Sequence, residues 1–270
     1  MTFDVADTGP LDGEVIVLLH GFPQRASSWA KAMERLNAAG YRTVAPDQRG
    51  YSRRARPRGR YQYRAAELFE DVVALIRAID VGPVHLVGHD WGAGVGWGVA
   101  ARHPDLIRSW TALSLGHPSA FFAAMLRSKQ LFSSWYFGLF QFPAIPEAML
   151  ARTVKKGRAP LLRRAGMDDE MLDRFSKEIV QDEALSGALG YYRALPFLGH
   201  TPVVRVPTTM IWSDGDNLLG RTCAQLSARY VDAPYDFVVL TGVSHWIPDH
   251  APEALVELVI ARADSVRGDA

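Results

Sequence analysis

Four short stretches hold the residues that could do chemistry. GHDWG (88–92) sets Asp90 between glycines, HGFP (20–23) turns on a glycine, WSDGD (212–216) offers Asp214 and Asp216, and GVSHW (242–246) carries His245. Small residues at 88 and 92 allow a sharp strand-to-helix turn in which backbone meets backbone, and such a turn lifts the central side chain into a pocket mouth. An aspartate after a strand can also be a helix N-cap, but glycines on both sides and the downstream partners favour a nucleophile. A serine at that centre would need a base to take its proton, whereas a carboxylate with a pKa near ~3.9 is already anionic at neutral pH. Such a nucleophile suits a saturated carbon bearing a leaving group, and it leaves an ester that water must hydrolyse. His245 is then free to activate that water, oriented by a carboxylate that fixes its tautomer and stabilises the imidazolium. Residue chemistry alone leaves Asp214 and Asp216 equal claimants for the orienting role. The amides of Phe22 and Trp91 would together hold the oxyanion formed when water attacks the ester carbonyl. His20 reads as a brace for the turn.

The elements that must position these residues follow from the apolar pattern. Short apolar runs bounded by Gly, Pro and Asp alternate with helix-length segments, as in a parallel sheet whose strands are buried on both faces. Strands are predicted at 15–19, 42–45, 84–87, 110–115, 208–212 and 235–240, with 3–6 as an antiparallel edge. Helices are predicted at 28–39, 63–80, 92–103, 221–230 and 252–263, the last opened by Pro252-Glu253. From about 117 to 200 the alternation stops, and the chain becomes helical and rich in Phe, Trp and Arg. That marks a cap inserted between two sheet strands, with 1–116 and 201–270 as the core domain and 117–200 as the cap. Eight aromatics lie between Phe121 and Phe142. A small helical layer needs fewer for its own packing, so part of that surface is expected to face a cavity shared with the sheet.

Bulk properties bound the partners. A chain of 270 residues with 48% hydrophobic content can bury one large core. Lys and Arg number 30 against 29 Asp and Glu, a net charge of +1, which gives no pull towards nucleic acid or a membrane surface. The local run Arg53, Arg54, Arg56, Arg58, Arg60 has no interleaved aromatic and reads as a solvated loop. Cys223 is the single cysteine, so no internal disulfide calls for an oxidising compartment. The first residues carry acids rather than a basic segment followed by an apolar stretch, and no apolar run reaches about eighteen residues; the expected location is cytoplasmic. The other histidines, His85, His89, His103, His117, His200 and His250, lack metal-ligand spacing. No glycine loop is built to cradle phosphate, so no metal, nucleotide or flavin cofactor is expected, and water is the co-substrate.

HGFP, DQRGYS (47–52), GHDWG, IWSDGD (211–216) and GVSHW together resemble the α/β-hydrolase superfamily and, within it, the epoxide hydrolase branch. The likeness runs from HGFP to the final helix. It implies the α/β-hydrolase fold, a mostly parallel sheet of seven or eight strands flanked by helices, with a helical cap inserted after the sixth strand; the short lead before HGFP favours seven. It assigns the orienting acid to the last residue of WSDGD, Asp216. It also gives meaning to SSWYFGLFQFP (133–143) and GALGYYRA (187–194), since epoxide hydrolases carry one tyrosine in each. By motif position these are Tyr136 and Tyr192, with Tyr191 left to cap packing. Two phenols aimed at an epoxide oxygen can hydrogen-bond to the developing alkoxide and supply a proton. Pro23, Trp135, Phe140 and Trp246, with His20, are expected to line the substrate pocket. Gly190 departs from the polar residue often found before the tyrosine pair.

The implied activity converts an apolar epoxide and water to a vicinal diol through a covalent ester on Asp90. A haloalkane dehalogenase shares the aspartate and a following tryptophan, but Phe22 stands where such an enzyme often offers a polar amide to halide, and a halide needs no cap tyrosines. A fluoroacetate-type dehalogenase would place arginines beside the nucleophile. A non-catalytic receptor on the same fold would not require Asp90, Asp216 and His245 together, and no serine occupies the elbow for an esterase. A homodimer is compatible with the sequence.

Overall fold

The computed structural model describes residues 1–267. Along the chain run β1 (Val5–Thr8), β2 (Val15–Leu19), α1 (Ala30–Ala38), β3 (Arg42–Pro46), α2 (Ala65–Ile79), β4 (Val84–His89), α3 (Trp91–Arg102) and β5 (Ile107–Leu113). After the cap come β6 (Thr208–Gly215), α11 (Arg221–Leu226), β7 (Tyr235–Ser244), α12 (Ile247–His250) and α13 (Pro252–Asp264). The cap itself holds α4 (Pro118–Arg127), α5 (Gln130–Ser133), α6 (Tyr136–Leu139), α7 (Ile145–Lys155), α8 (Pro160–Arg164), α9 (Asp169–Arg174) and α10 (Leu185–Arg193), with a π-helical stretch (Phe175–Gln181) continuing α9.

Seven strands form one sheet in the order β1-β3-β2-β4-β5-β6-β7, parallel except for β1 on β3. Every residue of β2 and β4 is buried, because helices cover both faces. Alternate side chains divide between them. Ile16 and Leu18 pack with Met33, Leu36, Leu255 and Val259 of α1 and α13; Val17 and Leu19 pack with Leu68, Phe69, Val72 and Trp97 of α2 and α3. Each fully buried Leu, Ile or Phe contributes about 1.5–3 kcal/mol from leaving water. These two layers hold the carboxyl ends of β2, β4, β6 and β7 in a row, where ligands sit in open α/β sheets.

The edge strand lies at 5–8 rather than the expected 3–6. Thr8 sits opposite Thr43, and Thr8, Thr43 and Asn37 form a closed set of side-chain hydrogen bonds at 2.8–3.1 Å. That polar pairing, rather than apolar alternation, sets the register. In a count of seven strands the cap follows the fifth, β5; it follows the sixth only in a count of eight.

The basic run is not wholly solvated. Arg53 and Arg56, joined by Arg25, converge on Asp182 at the end of the π-helical stretch. The Asp182 side chain is only 9% exposed. Arg174 bonds Asp249, which also accepts from Gln24, and Ser27 donates to Glu178 at 2.6 Å. These contacts clasp one flank of the cap to the core loops. No helix among the described residues is long and apolar enough to cross a membrane.

Candidate active site

Strand β4 ends in His89, and the chain turns at Asp90 with φ 51° and ψ −119° before α3 begins. A non-glycine residue held there stores about 1–3 kcal/mol of strain, tolerated only where surrounding packing enforces it. That packing is visible. A Cβ on Gly92 would lie 2.1 Å from the Leu19 carbonyl oxygen, and one on Gly21 would lie 2.4 Å from the Asp90 Cβ. The ends of β2 and β4 therefore touch only because both residues are glycine, and the turn forces the carboxylate upward.

The Phe22 amide donates to Asp90 Oδ1 at 2.9 Å. Trp91, the first residue of α3, carries one of the N–H groups that a helix start leaves without an intrahelical partner. Asp90 Oδ2 lies 3.6 Å from His245 Nε2. His245 is fully buried, and its Nδ1 is 2.7 Å from Asp216 Oδ2. Asp216 is held in turn by the amides of Leu218 and Leu219 on Oδ1, at 2.8 and 2.9 Å. Asp214 points elsewhere, accepting the Gly242 amide at 2.7 Å in an exposed position. Nε2 of His245 is buried without a partner. An unpaired buried ring nitrogen costs free energy, and this one faces the Asp90 carboxylate directly.

Burial alone would drive the His245 proton off, but the Asp216 carboxylate and then Asp90 outweigh it and raise the ring to about 10. Burial works against the Asp90 charge as well, and His245, His89 and the Phe22 amide hold this carboxyl below its usual value. Asp90 is thus the anion beside a cationic ring.

Tyr136 on α6 and Tyr192 on α10 close the site from the cap, their rings 6.1 Å apart. Tyr192 is wedged edge-on against Trp91 and Phe22 at 5.0 and 5.1 Å. Burial first, and then the nearby carboxylate charges and, for Tyr192, Tyr136, push both phenols well above the ordinary range. Both therefore keep their protons at neutral pH. Two cavities meet here. The larger, about 750 Å³, is walled by Leu68, Phe69, Leu115, Phe121, Phe137 and Leu195, among others. The smaller, about 420 Å³, is walled by Phe22, Pro23, Phe140, Leu161, Leu218 and Trp246, among others. Asp90, Tyr136 and Tyr192 are the three residues that line both.

Residues 14–251 match the family model for the alpha/beta hydrolase fold. The chain is 34% identical over 268 residues to the AB hydrolase superfamily protein YfhM of Bacillus subtilis, covering 96% of this chain and 93% of that one. It is 34% identical over 271 residues to Epoxide hydrolase 3 of Xenopus tropicalis, covering 95% of this chain and 73% of the relative. A solved epoxide hydrolase from Vigna radiata aligns with TM-score 0.78 at 27% identity, over 97% of this chain and 94% of that one. This chain belongs to the α/β-hydrolase superfamily, in its epoxide hydrolase branch.

Against the sequence-based expectations for this branch, Asp90, His245, Asp216, Tyr136, Tyr192, Phe22 and Trp91 come together in one place. Pro23, Phe140 and Trp246 line the smaller cavity. Two residues expected in the pocket lie outside both cavities. Trp135 is 59% exposed on the outer face of the cap; with Tyr136 turned inward on a helix, the adjacent residue is rotated about 100° away. His20 is fully buried and lines neither cavity. Its Nδ1 donates to the Gly21 carbonyl at 3.1 Å and its Nε2 accepts the Gln48 amide at 3.0 Å, so both ring nitrogens are spent on bracing the turn. Burial holds it neutral, pushing it down to about 3. Tyr191 packs against Tyr51, Tyr63 and Trp91, away from both cavities.

Sequence reasoning missed Leu68 and Phe69, which reach the larger cavity from the core helix α2. No chemical signature marks them. Leu115, just past the carboxyl end of β5, could have been found from the rule that sites gather at strand ends. Among the described residues, no cluster of three or more His, Cys, Asp or Glu could hold a metal ion.

Proposed function

We infer that this protein is an epoxide hydrolase that opens an apolar epoxide to a vicinal diol through an ester on Asp90. The observation that carries the reading is that one carboxylate and two protonated phenols are the residues common to two mainly apolar cavities. An epoxide whose carbon reaches Asp90 can turn its oxygen to Tyr136 and Tyr192 while its substituents occupy the cavities on either side. Relatives named as epoxide hydrolases support the same conclusion.

Asp90 Oδ1 is engaged by the Phe22 amide, which leaves Oδ2 as the attacking oxygen. The Oδ2–carbon bond forms as the carbon–oxygen bond of the epoxide breaks, and the alkoxide takes a proton from a phenol. Esterification removes one of the two carboxylate charges that raise His245. Its proton then passes to the phenolate, and the ring becomes neutral. Neutral His245 takes a proton from water at Nε2, and the hydroxide attacks the ester carbonyl. The Phe22 and Trp91 amides hold the resulting oxyanion on Oδ1. As the oxyanion collapses, the bond from the carbonyl carbon to the alkyl oxygen breaks and the departing alkoxide takes the proton of the hydroxyl that water added, giving the diol, the Asp90 carboxylate and a still-protonated His245, so the cycle consumes one epoxide and one water. A cytoplasmic location and homodimeric assembly belong to this reading, the second tested by sedimentation.

The reading is tested by giving the purified protein styrene oxide and 1-bromobutane separately. Diol from the first is the expected result. Rapid halide release from the second with the epoxide untouched would assign it to haloalkane dehalogenation instead.

A further inference from the structure

The cap reaches the loop behind Asp216 with a buried amide. Gln130, the first residue of α5, is 3% exposed and lines neither active-site cavity. Its Nε2 donates to the Leu218 carbonyl at 2.8 Å and to Ser134 Oγ at 3.0 Å, and its Oε1 accepts the Gly220 amide at 2.8 Å. Both amide hydrogens are used, and two of the three bonds cross from the cap to residues 218–220. That loop is also what aims the acid. The Leu218 and Leu219 amides hold Asp216 Oδ1, which leaves Oδ2 on His245 Nδ1 at 2.7 Å. From the core, the Trp212 indole donates to the Leu219 carbonyl at 2.8 Å, and Leu219 packs with Ala120, Phe121 and Ala124 of α4. In such apolar surroundings a hydrogen bond is strict in its geometry, because a displaced donor or acceptor has no water to turn to.

We propose that Gln130 is a positioning residue for the hydrolytic half of the reaction: through this side chain the cap fixes the loop that aims Asp216 at His245. The inference rests on the epoxide hydrolase reading and goes beyond it, giving the cap a part in ester hydrolysis besides the tyrosines it brings to epoxide opening. With the Gln130 amide removed, the Leu218 carbonyl and the Gly220 amide lose their partners, and the loop shifts to regain some. Asp216 is tied to that loop by two amides and shifts with it. Alkylation depends on the Phe22 amide and the cap phenols instead, and Gln130 approaches that side through the single bond to Ser134, two residues ahead of Tyr136. The titratable groups around the His245 ring are Asp216, Asp90 and His89. Burial pushes His89 down to about 4, so it is neutral, and esterification removes the Asp90 charge. During hydrolysis burial lowers the His245 ring and Asp216 is the carboxylate that raises it.

The experiment follows single turnovers of styrene oxide in the wild type, Q130M and S134A, with alkylation read as adduct on the intact protein and hydrolysis as diol. Methionine keeps the length of the side chain and removes its three bonds, whereas S134A removes the one bond that stays inside the cap. The hydrolysis rate constant of Q130M should fall roughly tenfold or more while alkylation stays within about threefold of wild type, since the misplacement lies on the base and not on the nucleophile. A carboxylate aimed off the ring raises it less, so the acid limb of the hydrolysis rate should move to lower pH in Q130M. Loss of packing alone would not move that limb. S134A should keep both rate constants within about twofold of wild type. Q130E retains the acceptor for Gly220 but sets a carboxylate oxygen against the Leu218 carbonyl; it should show the same split, and it carries the test if circular dichroism finds Q130M unfolded. Equal losses in both steps, an unmoved acid limb, an equal split in S134A, or hydrolysis within about twofold of wild type would each overturn the positioning role and leave the epoxide reading standing. Neither adduct nor diol from the wild type overturns that reading and the inference with it.

Discussion

Replacing His245 by Gln should separate the two halves of the reaction. Nε2 is the group that faces Asp90 Oδ2 across 3.6 Å without a partner, and attack by that oxygen on an epoxide carbon needs no base. Hydrolysis of the ester does need one. Loss of a general base costs roughly 10²–10⁴ in rate, about 2.7–5.4 kcal/mol of barrier at 1.36 kcal/mol per decade. Alkylation loses the favourable charge of the protonated ring and slows as well, but Asp90 stays ionised at neutral pH, so that loss should be held to about tenfold. The ratio of the two rate constants then moves by at least about tenfold towards the ester. The expected outcome is a protein heavier by one substrate mass, formed in a burst of one equivalent per site, with the added mass mapping to the peptide that holds Asp90. Intact-protein and peptide mass spectrometry read it directly. Sustained turnover within tenfold of wild type with no adduct, or an adduct on another residue, would refute the assignment of His245 as the base for a second step.

Removing either cap phenol singly, Tyr136→Phe or Tyr192→Phe, should slow alkylation by roughly 10–10²-fold, because the other hydroxyl still holds the leaving oxygen, and the double change should cost about 10³-fold or more; single-turnover kinetics measures it, and a double variant within tenfold of wild type would remove the tyrosines from the chemistry. The two carboxylates beside His245 raise it to about 10 in the free enzyme, and esterification leaves only Asp216. The pH profile of kcat should therefore show an acid limb well below that value, rate rising as the ring loses its proton, while kcat/KM holds until pH nears 10; one shared pKa in both profiles would contradict the charge coupling. Asp182→Asn should destabilise the fold by about 1–3 kcal/mol by stranding Arg25 and Arg56. Burial raises the Asp182 carboxyl, but bonds from Arg25, Arg56 and Arg53 prevail and hold it at about 2 against an unperturbed 3.8, so its contribution is complete above the unperturbed value and lost as pH falls through about 2. Urea titrations at neutral and acid pH should show a difference between wild type and variant that shrinks in acid, and equal stability at neutral pH would remove the clasp.

The motifs were legible because each lies at or just past a short, largely apolar strand: the expected 15–19 and 84–87 match the ends of β2 and β4 within two residues, while β6 and β7 run three and four residues beyond the expected 212 and 240. The choice between Asp214 and Asp216 was not legible from residue chemistry, since it is made by an irregularity in the sheet. The pairing of β6 with β7 shifts between Ser213 and Gly215, which places Asp214 on the Gly242 amide and Asp216 on His245. The outward turn of Trp135 was hidden for a related reason: the helices around it are four residues long, too short for a moment to show which way a face points. The basic run at 53–60 looked solvated because its acid, Asp182, is 126 residues from Arg56 along the chain. Long-range ion pairs leave no local pattern. The π-helical stretch at 175–181 is equally silent in the sequence.

Isotope tracing tests the central claim most directly. If Asp90 attacks the epoxide, the oxygen added to the first diol comes from its carboxylate and not from solvent. In a single turnover with enzyme in excess in H₂¹⁸O, the diol should carry no label, and the heavy oxygen should appear in the Asp90 peptide. Label in the first diol, with none in that peptide, would mean that water attacks the epoxide directly and that Asp90 never forms an ester.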